Sequence, residues 1–177
     1  LNLENAVAAC AVAIEEKMDP QDLKDSLKSF TGIWRRFEVL VRSDSHIYID
    51  DYAHHPVEIS RTLEAIRLIY PGKKILGIFQ PHLYSRTRDF AESFAESLSE
   101  LDELVLLPVY PARERKIPGV GSEMIKEKIQ NIPVGLAEKK QFPRLLKGFD
   151  FDVLITMGAG DIDRLARPIK KYLEHKK

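Results

Sequence analysis

Three short runs in the sequence gather side chains that bind charged or hydroxylated groups. Ile49-Asp50-Asp51-Tyr52-Ala53-His54-His55-Pro56 sets two carboxylates and two imidazoles ahead of a helix-opening proline. Phe79-Gln80-Pro81-His82-Leu83-Tyr84-Ser85-Arg86-Thr87-Arg88 offers an imidazole and two guanidiniums. Met157-Gly158-Ala159-Gly160-Asp161 is a glycine turn that ends on an acid. A carboxylate can accept from two ribose hydroxyls, a guanidinium forks onto a carboxylate or phosphate, and helix N-termini attract anions. Each run also has a plain reading: Asp50 and Asp51 as caps, His54 and His55 as surface residues, Arg86 and Arg88 as a solvated helix start. Convergence of all three on one sheet edge favours the functional reading.

The surrounding pattern supplies such an edge. Residues 37–42 and 46–50 read as strands joined by a polar turn. Pro56 opens a helix with Ile59, Leu63, Ile66 and Tyr70 on its buried side, stopped by Pro71-Gly72. Strands at 74–80, 103–107, near Val134 and at 152–156 then alternate with helices. One carries Phe90, Phe94, Leu98 and Leu101, and others fall near 122–130, near 142–147 and from Asp161. This alternation predicts an α/β fold with a parallel or mostly parallel sheet covered on both faces, where ligands bind at the carboxyl ends of the strands. Two helices come first. Leu3, Val7, Cys10 and Ile14 mark one; Asp19, Pro20 and the face Leu23, Leu27 and Phe30 mark the other. They are expected to be the tail of an upstream domain (residues 1–34), ahead of the main domain (35–177).

Composition narrows the chemistry. Lys plus Arg and Asp plus Glu are 27 each, so the formal charge is zero, and a nucleic-acid partner held by bulk electrostatics is not expected. Apolar runs such as 104–107 are too short to cross a bilayer, so no membrane partner is expected either. The single cysteine, Cys10, excludes a disulfide framework, and with no leader at the start the chain fits a reducing, cytoplasmic setting. A metal centre on Asp50, Asp51, His54, His55 and His82 would lack further carboxylates at ligand spacing. Gly158-Ala159-Gly160 lacks the third glycine of a dinucleotide loop, and Ser85 lacks the glycines of a nucleophile elbow. No metal site and no catalytic side chain is assigned to this chain.

Residues 50–56 resemble the D-D-Y-[AG]-H-x-P signature that opens the C-terminal domain of the Mur ligases, which build the peptidoglycan precursor. Residues 79–88 are similar to the F-Q-P-H-x-Y-[ST]-R-T-R segment of the branch that adds L-alanine; the murein-peptide-recycling branch reads near E-P-R-S-N-T there. Asn2-Leu3-Glu4-Asn5-Ala6 and Arg35-Arg36-Phe37-Glu38 are similar to N-x-x-N-A and R-F-E elements at the end of that family's central domain. The resemblance implies a Rossmann-like fold and ATP- and magnesium-dependent joining of L-alanine to UDP-N-acetylmuramate through an acyl phosphate. It implies ATP contacts at Asn5 (adenine), Arg36 (phosphates) and Asp51 (ribose). It implies amino-acid contacts at His55, His82, Arg86 and Arg88, with Gly158 and Gly160 as a substrate loop.

The family's G-K-[ST] phosphate loop, its magnesium ligands and its sugar-binding domain have no counterpart in the sequence. The chain is therefore expected to be inactive alone. A murein-peptide ligase and a non-catalytic nucleotide or amino-acid binding module are the alternatives, and the apolar stripe of the first two helices would suit a homodimer.

Overall fold

The structure, a computed structural model, describes residues 3–175; Asn2 of the first matched motif lies outside them. The chain forms two compact units, residues 1–34 and 35–177. The smaller contains α1 (Leu3–Glu15) and α2 (Pro20–Ser29). Asp19 caps α2 by accepting from the backbone N–H groups of Gln21 (2.8 Å) and Asp22 (3.4 Å), and Pro20 takes the first turn, where no N–H is needed. The apolar side chains of Val7, Ile14, Leu27 and Phe30 are exposed.

The larger unit is a layered α/β domain. Its elements are β1 (Glu38–Arg42), β2 (Ile47–Asp51), α3 (Pro56–Ile69), β3 (Ile75–Phe79), α4 (Tyr84–Asp89), α5 (Ala91–Leu98), β4 (Glu103–Leu106), α6 (Ser122–Lys126), β5 (Val134–Leu136), β6 (Val153–Met157) and α7 (Ala166–His175). Among the described residues one sheet forms, in the order β1-β2-β6-β3-β4-β5, parallel throughout except for the β1–β2 hairpin. The last strand thus enters the middle of the sheet. That position requires apolar residues on both faces, and β6 is buried along its whole length.

Alternation of side chains divides the core in two. Ile47, Ile49, Ile75, Phe79, Leu104, Leu106, Val153 and Ile155 face α3 and α5, meeting Ile59, Leu63, Ile66, Phe94 and Leu98. Tyr48, Leu76, Ile78, Val105 and Leu154 face the opposite layer, meeting Ile162, Leu165, Ile169 and Leu173. Register then sets the functional edge: Asp51 lies opposite Met157, and Met157 opposite Phe79. The ends of β2, β6 and β3, and the three runs that follow them, stand side by side.

Four expectations about helices change in detail. The helix near 122–130 is the short α6, ending at Lys126, and the one expected from Asp161 opens as a 3₁₀ turn, Asp161–Leu165, before α7. The other two concern 90–101 and 142–147. The helix predicted to carry Phe90 through Leu101 is two helices, α4 and α5, broken at Phe90, whose ψ of 17° departs from the helical value. Phe90 is half exposed, while Leu101 is buried beyond the end of α5. The segment expected as a weak helix near 142–147 is a 3₁₀ turn, Arg144–Gly148, bracketed by Pro143 and a terminal glycine.

Phe94 is fully buried between α5 and the sheet. Phe94→Ala is expected to lower unfolding stability by about 3–5 kcal/mol in urea titration, with Leu27→Ala, exposed on α2, within about 0.5 kcal/mol of the parent. Equal effects for the two would contradict this division of the core.

Candidate functional site

The edge is organised around Arg35. This residue is 4% exposed, and its guanidinium reaches three groups. Nε donates to Asp50 Oδ2 (2.9 Å), Nη2 to the carbonyl of Gly158 (2.6 Å) and Nη1 to that of Gly160 (3.5 Å). On the other side of Asp50, the Thr156 hydroxyl donates to Oδ1 (2.5 Å), and Tyr48 Oη lies 3.0 Å from that hydroxyl. The carboxylate is therefore shared between a cation and a hydroxyl, as a buried charge must be. Burial pushes the Asp50 carboxyl up from its ordinary range, and Thr156 and Arg35 pull it back.

Asp51, next along β2, faces backbone. Its Oδ2 accepts from Phe37 N–H and its Oδ1 from Ala53 N–H, both at 2.7 Å. Burial raises its pKa, opposed by those two bonds and by the charge of Arg36. Arg35 and Phe37 both hold left-handed backbone (φ 58° and 51°), a conformation that needs such local anchoring in non-glycine residues. Arg36 is exposed, with its guanidinium carbon 5.2 Å from the centre of the Tyr52 ring.

The loop after β3 is zipped to the loop after β4. Tyr110 N–H donates to Pro81 O (2.8 Å), and Leu83 N–H to Tyr110 O (2.9 Å). The His82 ring stacks on Tyr110 (5.7 Å between centroids, 17° between planes), and the His54 ring lies 6.1 Å away. His54 Nδ1 lies 3.0 Å from the Tyr52 carbonyl and 3.2 Å from Glu58 Oε2. Three buried atoms here have no hydrogen-bond partner among the described residues: Gln80 Oε1, His82 Nδ1 and Arg86 Nη1. Buried polar atoms are nearly always paired, so these three mark a place where a polar guest fits.

The remaining expected site residues sit as follows. His55 caps α3 while its ring packs against Phe90 (5.1 Å), and Glu58 accepts from the N–H groups of His54 and His55. Arg88 is exposed and pairs with its neighbour Asp89 (2.7 Å). Asn5 is exposed on α1, in the smaller unit. Gly158 has φ 143°, and a side chain there would lie 2.7 Å from the Gln80 carbonyl; at Gly160 one would lie 2.7 Å from Tyr110 Cβ. Both glycines thus let their loop pack against Gln80 and Tyr110, with carbonyls turned to Arg35. Beside the site, at the carboxyl ends of β4 and β5, a hollow of about 390 Å³ is bordered by Tyr84, Lys116, Glu123 and Glu138. Among the described residues no group of three or more His, Cys, Asp or Glu is arranged to hold a metal.

Against known proteins, the family described as Mur ligase, glutamate ligase domain, matches residues 35–162. The chain belongs to the Mur ligase family. Over 98% of its length it is 50% identical to a UDP-N-acetylmuramate–L-alanine ligase of Porphyromonas gingivalis and 48% identical to one of Christiangramia forsetii. It spans 38% of each of those relatives. The crystal structure of the corresponding ligase of Thermotoga maritima superimposes with a TM-score of 0.79 at 28% identity, over 99% of this chain and 38% of that one. A murein peptide ligase of Psychrobacter arcticus (TM-score 0.69, 19% identity) shares the fold. The α/β, mostly parallel expectation is met by the sheet and by these neighbours.

Sequence reading did not single out Arg35, Thr156, Tyr110 or Glu114. Thr156 left a signal, a lone hydroxyl within the apolar strand Val153-Leu154-Ile155-Thr156-Met157. Arg35 was overshadowed by Arg36, and Glu114 reads as one more charge in Arg113-Glu114-Arg115.

Burial, with Arg86 and then His54 beside it, lowers the His82 pKa, while Glu114 raises it less. A depressed folded-state value favours the neutral ring. Its contribution to stability is complete above the free-histidine value of about 6.5 and is lost as pH falls through the lowered one. An NMR titration of His82 is expected to show a midpoint below 6.5 that rises in Arg86→Ala; a midpoint at or above 6.5 would contradict the packing described here.

Proposed function

We propose that this chain is the C-terminal part of an ATP-dependent ligase that joins L-alanine to UDP-N-acetylmuramate in peptidoglycan precursor synthesis. Its role is to hold the amino acid. The observation that carries this is the pair of unpartnered buried atoms, Arg86 Nη1 and His82 Nδ1, at the carboxyl edge of the sheet. A guanidinium with a donor to spare suits an amino-acid carboxylate. Fixing that carboxylate leaves the amine aimed outward at an activated acyl group. A neutral His82 beside it adds no second cation to repel the ammonium group or to compete for the carboxylate.

Residues 1–34 are assigned to the end of the neighbouring ATP-binding domain. Within residues 35–177, Arg36 and Asp51 suit a nucleotide, as an exposed guanidinium and a carboxylate whose oxygens each keep a lone pair beyond their backbone bond. Asn5, an exposed amide of the smaller unit, is assigned an adenine contact on the family resemblance alone. When bound, ATP supplies the phosphoryl group that activates the sugar carboxylate, and magnesium neutralises phosphate charge. We place the magnesium ligands and the phosphate loop in the part of the larger protein beyond this chain. His55, Gly158 and Gly160 line the same edge as supports for the substrate. No described helix is long and apolar enough to cross a membrane, consistent with work in the cytoplasm.

Arg86 and Arg88 now separate. Arg86 is half-buried at the site, whereas Arg88 is exposed and engaged with Asp89. In the full-length ligase, phosphate release given ATP, magnesium and UDP-N-acetylmuramate is expected with L-alanine, and weakly with glycine, L-serine or the recycling tripeptide. Arg86→Ala should lower kcat/KM for L-alanine by about 1.5–3 kcal/mol in transition-state terms, and Arg88→Ala much less. Release only with the tripeptide would move the protein to the peptide-recycling branch, and an unchanged kcat/KM in Arg86→Ala would remove the assignment of that arginine.

A further inference from the structure

We propose that Glu114, in the loop after β4, is a positioning residue that sets Arg86 for the amino-acid carboxylate. This rests on the reading of Arg86 given above. In sequence Glu114 is a charge among charges, and a solvated loop acid would be its ordinary role. Its geometry differs from that. Oε2 accepts from the backbone N–H of Ser85 at 2.9 Å, and Oε1 accepts from the Ser85 hydroxyl. Both carboxylate oxygens are thus committed to the turn that carries Arg86, where the Tyr84 backbone N–H also bears on them.

That turn needs outside help. α4 is six residues long, and a single short helix has little stability of its own. The residue before it, Leu83, has no polar side chain to cap the free N–H groups and stands at φ 70°. Glu114 supplies the missing acceptor from a different loop. The Ser85 bonds hold its carboxyl below the usual range, so it is ionised at neutral pH. The supporting loop is itself fixed by the Tyr110–Pro81 and Leu83–Tyr110 backbone bonds and by the turn in which Glu114 N–H donates to Pro111 O (2.9 Å).

The same commitment keeps Arg86 available. Among the described residues no ion pair joins Glu114 to Arg86, although the loop that carries Glu114 is bonded to the start of α4, which carries Arg86. With its oxygens on Ser85, Glu114 anchors the backbone next to Arg86 and leaves the Arg86 Nη1 donor unclaimed. The acid therefore orders the site without neutralising it.

The test uses the full-length ligase, with Glu114→Ala, Glu114→Gln, Ser85→Ala, Arg86→Ala and the Glu114→Ala/Arg86→Ala double variant. Glu114→Ala is expected to raise the KM for L-alanine about tenfold with the KM for ATP near the parent value. Glu114→Gln and Ser85→Ala, which each keep one of the two bonds, should fall between and guard against a misfolded Glu114→Ala. In the double variant the effect should be no larger than in Arg86→Ala alone, because both act through one group. Additive effects, or equal rises in the KM for ATP and L-alanine, would show general structural damage and overturn the positioning role. An unchanged alanine KM in the Glu114 variants beside a raised one in Arg86→Ala would overturn this inference alone. An unchanged KM in Arg86→Ala as well would overturn the reading of the site.

Discussion

Everything at the carboxyl edge of this sheet hangs on a buried cation. Arg35 stands where the larger unit begins, and its guanidinium ties the end of β2, through Asp50, to the carbonyls of Gly158 and Gly160 beyond β6. A lone arginine or a lone aspartate in that position would cost several kcal/mol in desolvation. Together, with the Thr156 hydroxyl on the far oxygen and Tyr48 behind it, the network is satisfied. The left-handed backbone at Arg35 and Phe37 is held in turn by Glu38 on the Arg35 N–H (2.9 Å), by Asp51 on the Phe37 N–H and by the Arg35 carbonyl on the Tyr52 N–H (2.6 Å). The two acids of the Asp-Asp pair thus divide their labour between a side-chain cation and backbone amides.

Rigidity passes from that centre to the site by contact. The glycine loop fixed by Arg35 packs on Gln80 and Tyr110, and Tyr110 carries the stacked ring of His82. His82 and Arg86 then present unpaired donor or acceptor atoms, beside an equally unpartnered Gln80 Oε1. The proposed amino-acid subsite would gain from this arrangement, because preorganised groups lose little on binding. The chain spans 38% of the length of the relatives it matches.

Much of this was legible in the residues. Alternating periods of two and of 3.6 gave the α/β class, and Asp50-Asp51, Phe79-Gln80-Pro81-His82 and Gly158-Ala159-Gly160 marked three strand ends that the register does bring together. The motifs also gave the family. What stayed hidden depends on long-range geometry. Arg35 meets Gly158 more than a hundred residues away, and Glu114 meets Ser85 across 29, so neither partner is visible in a local window. Arg86 and Arg88 look alike in sequence; only the turn of α4 places one half-buried and the other beside Asp89 in solvent. The break at Phe90 was masked for a related reason, since Phe90, Phe94 and Leu98 keep helical spacing although the helix restarts between them.

The most direct test of Arg35 as the organiser is amide hydrogen exchange on this chain and its Arg35→Met variant, under conditions where both retain their far-ultraviolet circular dichroism. Protection should fall at Phe37, Tyr52, Ala53 and Gly158, the amides bonded within the network, while β4 and α5 exchange as in the parent. Unchanged protection at those four amides, or a uniform loss across the whole sheet, would show that the edge is held by something other than the buried guanidinium.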